Sequence, residues 1–345
     1  MTHDYNTHDT RNARRTTSDT ALGRRPRPDG GAETGDGRRA DGGVDASPEP
    51  PVVVKIGGAR AVNPADAIDD VASLVDSGRA VVVVHGGSTA VDDTLESLGE
   101  EPTYVETPGG VVGRFTDERT MEVFSMVLPG KLNTDLTAAL RGAGVDALGL
   151  SGVDGGLLTG LRKSAVRVLE DGKRKIKRGD HSGKITDVNA GLLKTLLGDG
   201  YTPVVTVPML ADDGVAVNAD ADRAAAAVAG ALGAEFVILT DVEGVYADPD
   251  DPSTLIGSVT TPEEFDGLKS AANGFMRKKV MAAEEALNTG APTVVVASAN
   301  ADAPITGALD GGGTHVAADA VAVEADDESA DRDDPTDTED TEATG

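Results

Sequence analysis

The chain of 345 residues contains no cysteine and no tryptophan, and it has only five histidines. Without cysteine the protein forms no disulfide and offers neither a thiolate metal ligand nor a cysteine nucleophile. His3, His8 and His181 lie near the N-terminus or in a charged stretch, so we expect no histidine-based metal cluster. No apolar run approaches the roughly 20 residues of a membrane span, and the first residues lack the apolar core of a secretory signal. We therefore expect a cytoplasmic protein with no membrane partner.

Large aliphatic residues are scarce at both ends of the chain. Residues 1–50 are rich in Gly, Pro, Ser, Thr, Asp and Arg, and residues 317–345 carry twelve acidic residues against one arginine. Such segments bury too little apolar surface to offset their conformational entropy, so we predict two disordered tails. The remaining residues, 51–316, suffice for one large domain or for two lobes that share one sheet.

Positive charge is also scarce, and the net charge is −28. Residues 1–50 contribute −1 and residues 317–345 contribute −11, which leaves −16 on residues 51–316. An acidic surface repels nucleic acids and anionic membranes, so we expect neither as a partner. Abundant Ala, Asp and Gly with only 3% aromatic residues indicate adaptation to high salt, where concentrated ions screen the repulsion between acidic groups. The alternative is an ordinary acidic enzyme.

Short apolar runs alternate with amphipathic segments through the core of the chain. Predicted strands cover residues 52–56, 80–84, 203–207, 236–240 and 293–297. Predicted helices cover residues 64–76, 88–98, 117–128, 131–141, 189–197, 219–232 and 276–288, with Pro129-Gly130 separating the third helix from the fourth. Residues 164–169 and 173–177 predict a small β-hairpin insert. The alternation predicts an α/β fold, an open αβα sandwich whose central sheet is mostly parallel.

Glycine pairs follow the first two predicted strands. Gly57 and Gly58 end the first strand, and Gly86 and Gly87 end the second. Glycine lets the backbone approach an anion and present its N–H groups, and the helix predicted from residue 88 adds a partial positive charge. Because open α/β sheets bind ligands at the carboxyl ends of their strands, these turns predict an anion site. Their spacing fits neither a P-loop nor a dinucleotide-binding fingerprint.

Charged residues accompany these turns. Lys55 lies inside an otherwise apolar strand, where it either meets an anionic partner or extends to the surface. Asn218 precedes a predicted helix and serves either as its cap or as a functional residue. Lys278 and Lys279 lie in the first turns of another helix, where positive charge opposes the helix dipole. This penalty indicates that one of the two lysines serves something outside the helix.

Six short motifs follow one another in a fixed order: K-I-G-G at 55–58, H-G-G at 85–87, G-R-F at 113–115, N-x-D-x-D-R-A-A at 218–225, T-D-V-x-G-V at 240–245 and G-x-M-x-x-K at 274–279. Together they resemble the amino acid kinase family over residues 52–316. Within the family the chain is similar to the acetylglutamate kinase branch. It is most similar to the subgroup that phosphorylates glutamate or 2-aminoadipate attached to the LysW amino-group carrier protein. Residues 104–133 carry that closer similarity.

The resemblance implies an enzyme of arginine or lysine biosynthesis that uses ATP to convert a side-chain carboxylate into an acyl phosphate. It implies a substrate-binding lobe at 51–200, a nucleotide-binding lobe at 201–316, Mg²⁺ that arrives with ATP, an acidic LysW-type carrier as partner and a homodimer. We predict no dedicated metal site in the protein. An acetylglutamate kinase acting on free N-acetyl-L-glutamate remains the first alternative. A regulator that binds amino acids or nucleotides without turnover is the second, and carbamate, uridylate or aspartate kinases are more distant.

The resemblance also assigns roles to individual residues. Lys55 and Lys279 flank the transferring phosphoryl group and Asp222 orients both, with Lys278 as the alternative to Lys279. The residues assigned to the substrate are Gly86, Gly87, Arg114 and Asn218. The residues assigned to the nucleotide are Gly57, Gly58, Thr240, Asp241, Gly244 and Tyr246.

A basic island interrupts the acidic sequence. Residues 162–184 contain nine Lys or Arg against three acidic residues. The segment is short and lacks aromatic residues, which argues against a nucleic-acid site. It is either a solvated hairpin or a docking site for the acidic carrier, whose association it would accelerate. For docking we single out four residues, Arg174, Lys175, Lys177 and Arg178.

Overall fold

The computed structural model describes residues 49–57, 64–108, 110, 112–170 and 172–321. Gly58 and nearly all of the two predicted tails lie outside the described residues. The C-terminal boundary predicted at residue 316 is wrong, because Ala317 ends a strand and both Ala320 and Val321 are buried. Apolar residues inside an acidic stretch thus extend the folded part to the end of the described chain.

Two sheets contain the strands. The strands are β1 Val52–Ile56, β2 Val81–His85, β3 Tyr104–Glu106, β4 Val112–Arg114, β5 Ala147–Gly152, β6 Leu158–Glu170, β7 Lys173–Val188, β8 Thr202–Ala211, β9 Ala216–Val217, β10 Glu235–Thr240, β11 Ser258–Val259, β12 Thr293–Ser298 and β13 Thr314–Ala317. The large sheet runs in the order β11-β13-β12-β10-β1-β2-β8-β6-β7, and β5 and β9 both pair with β8. Strands β3 and β4 form a separate antiparallel pair.

Parallel pairing dominates the middle of the large sheet. Strand β1 lies between β10 and β2 and is parallel to both, and β8 is parallel to β2, β5 and β6. Antiparallel pairing joins β12 to β13, β6 to β7 and β8 to β9. The predicted α/β fold with a mostly parallel sheet is confirmed. Because β1 is flanked by strands from both predicted lobes, one sheet runs through both.

Helices cover both faces of this sheet. They are α1 Pro64–Asp76, α2 Ser88–Ser97, α3 Glu118–Ser125, α4 Asn133–Gly142, α5 Ala190–Gly198, α6 Ala221–Leu232, α7 Pro262–Ala271, α8 Gly274–Asn288 and α9 Thr306–Leu309. Side chains of a strand alternate between faces, so Val52 and Val54 pack with α1 and α4 while Val53 packs with α6 and α8. Among the described residues, no helix combines the length and hydropathy that a membrane span requires.

The β-hairpin is much longer than predicted. Strands β6 and β7 pair from Leu158 and Val188 to Glu170 and Lys173, well beyond the predicted residues 164–169 and 173–177. The added residues are mostly polar and include Gly179 and Gly183, which resemble turn signals in the sequence. Backbone pairing does not require apolar side chains where a ladder faces solvent, so the sequence pattern underestimated the length of the hairpin.

The predicted break at Pro129-Gly130 does not separate two helices. The chain continues from α3 through a π-helical segment, Met126–Leu132, directly into α4. The wider π-helical turn accommodates a proline that an α-helix interior would reject. This segment also shapes the turn after β2, because a Cβ added at Gly87 would overlap the side chain of Leu132 and lie 2.7 Å from Leu128 Cδ2.

Helices α6 and α8 approach each other closely, and this contact fixes their relative position. Gly230 of α6 faces Thr289, which follows the last turn of α8, and an added Cβ would overlap Thr289 Oγ1. Arg223 and Glu285 join the two helices through a bidentate ion pair. Arg223 Nε donates to Glu285 Oε2 at 2.8 Å, and Arg223 Nη2 lies 2.5 Å from Glu285 Oε1.

We expect Gly230→Ala to lower the free energy of unfolding by about 1–3 kcal/mol, because the added methyl group forces α6 and α8 apart. Gly142→Ala is the matched control, since Gly142 is exposed in α4 and a Cβ there meets nothing within 4 Å. The control is expected to keep the wild-type stability or exceed it slightly. Equal stability of the two variants in denaturant unfolding would contradict the close contact.

Candidate functional site

Three charged side chains meet at the carboxyl end of β1. Lys55 Nζ lies 2.6 Å from Asp222 Oδ1, and Lys279 Nζ lies 3.3 Å from Asp222 Oδ2. All three side chains are nearly buried, with 8–13% of their surface exposed. The structure therefore brings together the three residues that the sequence analysis named as catalytic, although 224 positions separate Lys55 from Lys279.

The sequence places each member of this trio on a different element. Lys55 alternates with Val54 and shares the sheet face of Val53, which is the face that α6 and α8 cover. Asp222 lies in the first turn of α6, where Asp220 caps the helix by accepting hydrogen bonds from the N–H groups of Asp222 and Arg223. The interpretation of Asn218 as the N-cap of α6 is therefore wrong, because Asp220 is the N-cap.

Lys279 rather than Lys278 joins the trio. Lys279 Nζ donates to Asp222, whereas Lys278 Nζ lies 6.0 Å from the centroid of the Phe275 ring. Adjacent residues of a helix point about 100° apart, so only one of the two lysines can reach the end of β1. The choice between them, which the sequence left open, is decided by helix geometry.

Electrostatics makes the trio an attractive site for an anion. Burial by itself would raise the pKa of the Asp222 carboxyl, but Lys55 and Lys279 outweigh it, and the pKa lies below its ordinary value. Burial and the neighbouring charge of Lys55 lower the pKa of Lys279, although Asp222 acts in the opposite sense. One carboxylate therefore faces two ammonium groups in a poorly hydrated place. The surplus positive charge is best balanced by a bound anion.

The two glycine turns adjoin the trio. A Cβ at Gly57 would lie 3.9 Å from Lys55 Nζ, and a Cβ at Gly86 would lie 3.1 Å from the Cβ of Ala221 at the start of α6. The turns after β1 and β2 therefore open toward the same crevice as the charged side chains. Any larger residue at position 86 would press on the helix that carries Asp222. Gly58 lies outside the described residues.

His85 is a residue whose place in the site the sequence analysis missed. The ring is buried, and its Nδ1 lies 2.9 Å from the Gly86 carbonyl, which only accepts, so Nδ1 carries the proton. Its Nε2 lies 3.0 Å from Asn133 Nδ2, and the same amide nitrogen donates to the carbonyl of Val204. The Nε2 atom therefore accepts, and the imidazole is neutral.

This pairing fixes the peptide between the two glycines. Because the Gly86 carbonyl is turned toward His85 and the peptide is trans, the Gly87 N–H points away from the histidine. Burial lowers the pKa of His85 and Lys55 lowers it further, although the hydrogen bond to Gly86 acts in the opposite sense. The H-G-G motif contained this signal, since a histidine directly before two glycines can bond to its own turn.

Arg114 is the last residue of β4, and its guanidinium contacts the first residue of α2, next to the second glycine turn. Its Nη2 donates to the Ser88 carbonyl at 2.9 Å and to the Tyr104 hydroxyl at 3.0 Å, and its Nη1 forms an ion pair with Asp92. The guanidinium also lies 5.2 Å from the centroid of the Tyr104 ring. Arg114 is thus held rigidly beside Gly87, with a protein carboxylate already bound to it.

Asn218 belongs to a buried network that the sequence did not indicate. Its Nδ2 donates to Thr116 Oγ1 at 2.9 Å, while its backbone pairs with His181 and Gly183 of β7. Thr116 in turn donates its N–H to the buried Asp180 carboxylate at 3.1 Å. The network joins the hairpin strand β7 to the segment that follows Arg114.

Apart from Gly57 and Gly58, the residues assigned to a nucleotide lie at or after the end of β10, and their surroundings differ. Thr240 is buried at the end of the strand and donates to the exposed Asp241 at 3.1 Å. Close packing alone requires glycine at position 244, because a Cβ there would lie 2.6 Å from Thr314 Oγ1. Tyr246 is half-buried and pairs with Leu255 in an isolated bridge. Thr240 and Asp241 therefore lie at the carboxyl end of the strand beside β1, while the small size of Gly244 is required for packing.

The docking residues of the basic island separate into two groups. Lys175 forms an ion pair with Glu170 at 2.8 Å, and Lys177 Nζ lies 4.1 Å from the centroid of the Phe115 ring. Arg174 and Arg178 are exposed and form no ion pair with a described residue. The four residues are therefore adjacent in sequence but do not share one surface.

Comparison with known proteins gives a consistent result. Residues 50–298 match the profile of the amino acid kinase family. The chain is 42% identical to a [LysW]-aminoadipate kinase of Deinococcus radiodurans over 77% of this chain and 91% of that protein. It is 41% identical to an acetylglutamate kinase of Methanopyrus kandleri over 76% of this chain and 99% of that protein.

A solved structure shares the fold. N-acetylglutamate synthase from Neisseria gonorrhoeae, complexed with coenzyme A and N-acetyl-glutamate, superposes with a TM-score of 0.63 at 24% identity. The match covers 78% of this chain and 59% of the synthase chain. The present chain therefore spans less than two thirds of that protein, and the likeness concerns the fold alone.

The neutral state of His85 predicts a pH dependence of stability. Its pKa in the folded protein lies below the ordinary value of 6.5, so the unfolded chain takes up a proton first as the pH falls through 6.5. Stability is therefore present above pH 6.5 and is lost on acidification. We expect His85→Gln to lose less unfolding free energy than the wild type between pH 7.5 and pH 5.5.

Chemical denaturation at fixed salt concentration measures this difference. His315→Gln, a change on β13, is the control for the loss of one histidine outside this turn. An identical slope in the wild type and His85→Gln would show that His85 is not held neutral by Gly86 and Asn133.

Proposed function

The chain belongs to the amino acid kinase family, and from that premise we propose that it transfers the γ-phosphoryl group of ATP to a carboxylate held by a carrier protein. The acceptor is the side-chain carboxylate of glutamate or 2-aminoadipate attached to a LysW-type carrier, and the product is an acyl phosphate. The reaction belongs to arginine or lysine biosynthesis in the cytoplasm. The observation that carries the proposal is the pairing of Lys55 and Lys279 with one buried carboxylate, Asp222.

The chemistry suits a site built from cations and glycine turns. A carboxylate oxygen attacks the γ-phosphorus, the bond from that phosphorus to the β,γ-bridging oxygen breaks, and ADP leaves with the electron pair. The acceptor is already ionised at neutral pH, so no general base is required. Both reactants are anions, and the enzyme's task is to hold them together and to balance the charge in the transition state.

Each member of the trio has a separate role in this proposal. Lys55 and Lys279 flank the transferring group and balance the charge that spreads over its oxygens. Asp222 holds the two ammonium groups in place and reduces their mutual repulsion. The lowered pKa of Asp222 and its pairing with both lysines suit this positioning role and argue against a role as proton acceptor.

The substrate end lies at the turn after β2. His85 orients the Gly86-Gly87 peptide so that the Gly87 N–H donates to the acceptor amino acid. Asn218 binds the end of that amino acid that lies farther from this turn. Arg114 binds a substrate carboxylate through its planar guanidinium, which then shares its charge between the substrate and Asp92. The rigid placement of Arg114 lowers the entropy lost when substrate binds.

The nucleotide lies at the carboxyl ends of β1 and β10. In this proposal Gly57 and Gly58 approach its phosphates, and Thr240, Asp241, Gly244 and Tyr246 line the remainder of its site. ATP would enter as a substrate together with Mg²⁺, which would neutralise part of the charge on its phosphates, and we propose no dedicated protein ligands for the ion. The substrate-binding lobe is then 51–200, and the nucleotide-binding lobe begins at residue 201 and continues past 316 to the buried Val321.

We also infer a homodimer. Strand β5 pairs with β8 along one edge, and no described strand pairs with its other edge. Leu148 on this strand is exposed. An unpaired strand edge with an exposed apolar side chain is a surface that a second copy of the chain can cover.

The alternative substrate is free N-acetyl-L-glutamate, since an acetylglutamate kinase is also 41% identical to this chain. We expect a higher kcat/KM for carrier-linked glutamate or 2-aminoadipate than for the free acetylated amino acid. Hydroxylamine traps an acyl phosphate as a coloured hydroxamate, so one assay compares all three substrates. Turnover of free acetylglutamate alone would favour the alternative, and absence of hydroxamate and of ADP with every substrate would favour a regulator.

We expect Lys279→Met to lower kcat by about 100- to 1,000-fold, because the change removes one of two cations beside the transferring phosphoryl group. Lys278→Met is the matched control, since its ammonium group lies over Phe275 outside the trio, and we expect it to keep nearly the wild-type kcat. Circular dichroism checks that both variants fold. Wild-type turnover by a folded Lys279→Met variant would remove the basis of the proposed mechanism.

A further inference from the structure

The outer half of the β6–β7 hairpin presents two different faces. Residues opposite each other in an antiparallel ladder share one face, and neighbours along a strand alternate between faces. One face, here called the arginine face, contains the pairs Ala165–Arg178, Arg167–Ile176 and Leu169–Arg174. The other, here called the lysine face, contains the pairs Val166–Lys177, Val168–Lys175 and Glu170–Lys173.

The lysine face is turned toward the body of the protein. Val168 is only 1% exposed, and Lys177 covers the ring of Phe115, the residue that follows Arg114. Lys175 is neutralised by Glu170, whose pKa is lowered by the hydrogen bond and the charge of that lysine. Two of the three lysines of this face, Lys175 and Lys177, therefore already have partners within the protein.

The arginine face is exposed, and its guanidinium groups form no ion pair with a described residue. These groups belong to Arg167, Arg174 and Arg178. Ile176 is 65% exposed and Leu169 is 37% exposed between them. An apolar pair surrounded by unpaired guanidinium groups is unusual on a chain whose net charge is −28.

The residues of the arginine face indicate which class of partner can bind to it. Guanidinium groups bind carboxylates through two parallel hydrogen bonds, and exposed Ile and Leu side chains gain from an apolar contact at the centre of an interface. A nucleic acid would meet the repulsion of the surrounding acidic surface and would find no aromatic side chain to stack on. The surface therefore fits a protein that carries acidic residues around an exposed apolar side chain.

We propose that the arginine face, and not the lysine face, docks the acidic carrier protein that presents the substrate. The inference rests on the proposed function and narrows the docking residues named from the sequence. Arg174 and Arg178 remain docking residues, Arg167, Leu169 and Ile176 join them, and Lys175 and Lys177 support the hairpin instead.

The hairpin is connected to the substrate end of the site, so a carrier docked on it lies at a fixed position relative to that end. Lys177 packs on Phe115, Asp180 accepts from the Thr116 N–H, and the His181 N–H donates to the Thr116 carbonyl at 2.6 Å. Thr116 Oγ1 then accepts from Asn218 at 2.9 Å. A rigid link of this kind restricts where the tethered carboxylate can reach, which favours the geometry needed for attack.

Two triple variants with equal changes of charge test the proposal. Arg167→Glu, Arg174→Glu and Arg178→Glu together reverse the arginine face. Lys173→Glu, Lys175→Glu and Lys194→Glu together reverse three exposed lysines that lie off this face, two on the lysine face and one on α5. The measurements are kcat and KM with a LysW-type carrier loaded with glutamate or 2-aminoadipate, KM for ATP, and direct binding of the loaded carrier by calorimetry.

We expect the arginine variant to raise the KM for the loaded carrier at least about tenfold, with kcat at saturation and KM for ATP unchanged. The lysine variant is expected to raise this KM much less, because it changes the long-range field but leaves the contact intact. Equal effects of the two variants would mean steering by net charge only and would overturn the proposal. Wild-type kinetics of the arginine variant would overturn it as well.

Ile176→Ser separates the apolar contact from the charges. High salt shortens the range of charge interactions to a few ångströms but leaves apolar contacts in place, so we expect the effect of Ile176→Ser on KM to persist as KCl is raised. If the wild type does not phosphorylate the loaded carrier at all, the proposed function fails. Calorimetry then decides the docking surface independently: binding lost only in the arginine variant supports it, and absence of binding overturns it.

Discussion

Everything in the candidate site depends on one carboxylate, Asp222, that lies between two lysines. Two ammonium groups in a buried place repel each other, and each loses hydration. The carboxylate reduces both penalties, and Asp220 acts on Lys279 as a second and weaker negative charge, while the trio itself keeps a net positive charge. The fold maintains this arrangement through the side-chain alternation of β1, the Asp220 cap of α6 and the close contact of α6 with α8 at Gly230. The unbalanced charge gives the site its affinity for a transferring phosphoryl group.

The architecture divides phosphoryl transfer from partner recognition. The parallel strands are covered on both faces, which keeps the ends of β1, β2 and β10 rigid enough to position small anionic groups. The antiparallel hairpin extends from the same sheet with one face free, as a partner-binding surface requires. Thr116 connects the two regions, because its N–H and carbonyl bond to β7 while its hydroxyl bonds to Asn218. The buried carboxylate of Asp180 completes that connection.

The differences between the predicted and the observed elements have physical explanations. The hairpin was underestimated because its solvent-facing ladder contains few apolar residues, and the break at Pro129-Gly130 was predicted because a π-helical turn has no sequence signal as strong as proline. Strand β5 was not predicted, since Gly149 and Gly152 weaken its strand pattern. His85 was missed because its role depends on Asn133, which lies 48 positions away.

The fold class, most strands and helices of the core and the charged residues that accompany glycine turns follow from the sequence alone. These features depend on local periodicity and on residue types that a turn or a buried strand requires. Three-dimensional packing was needed to show that Lys279 and not Lys278 reaches Asp222, that His85 is neutral and orients a peptide, and that the basic hairpin has one free face. These features depend on direction in space, since a helix turn, a hydrogen-bond partner or a ladder register decides which way a side chain points.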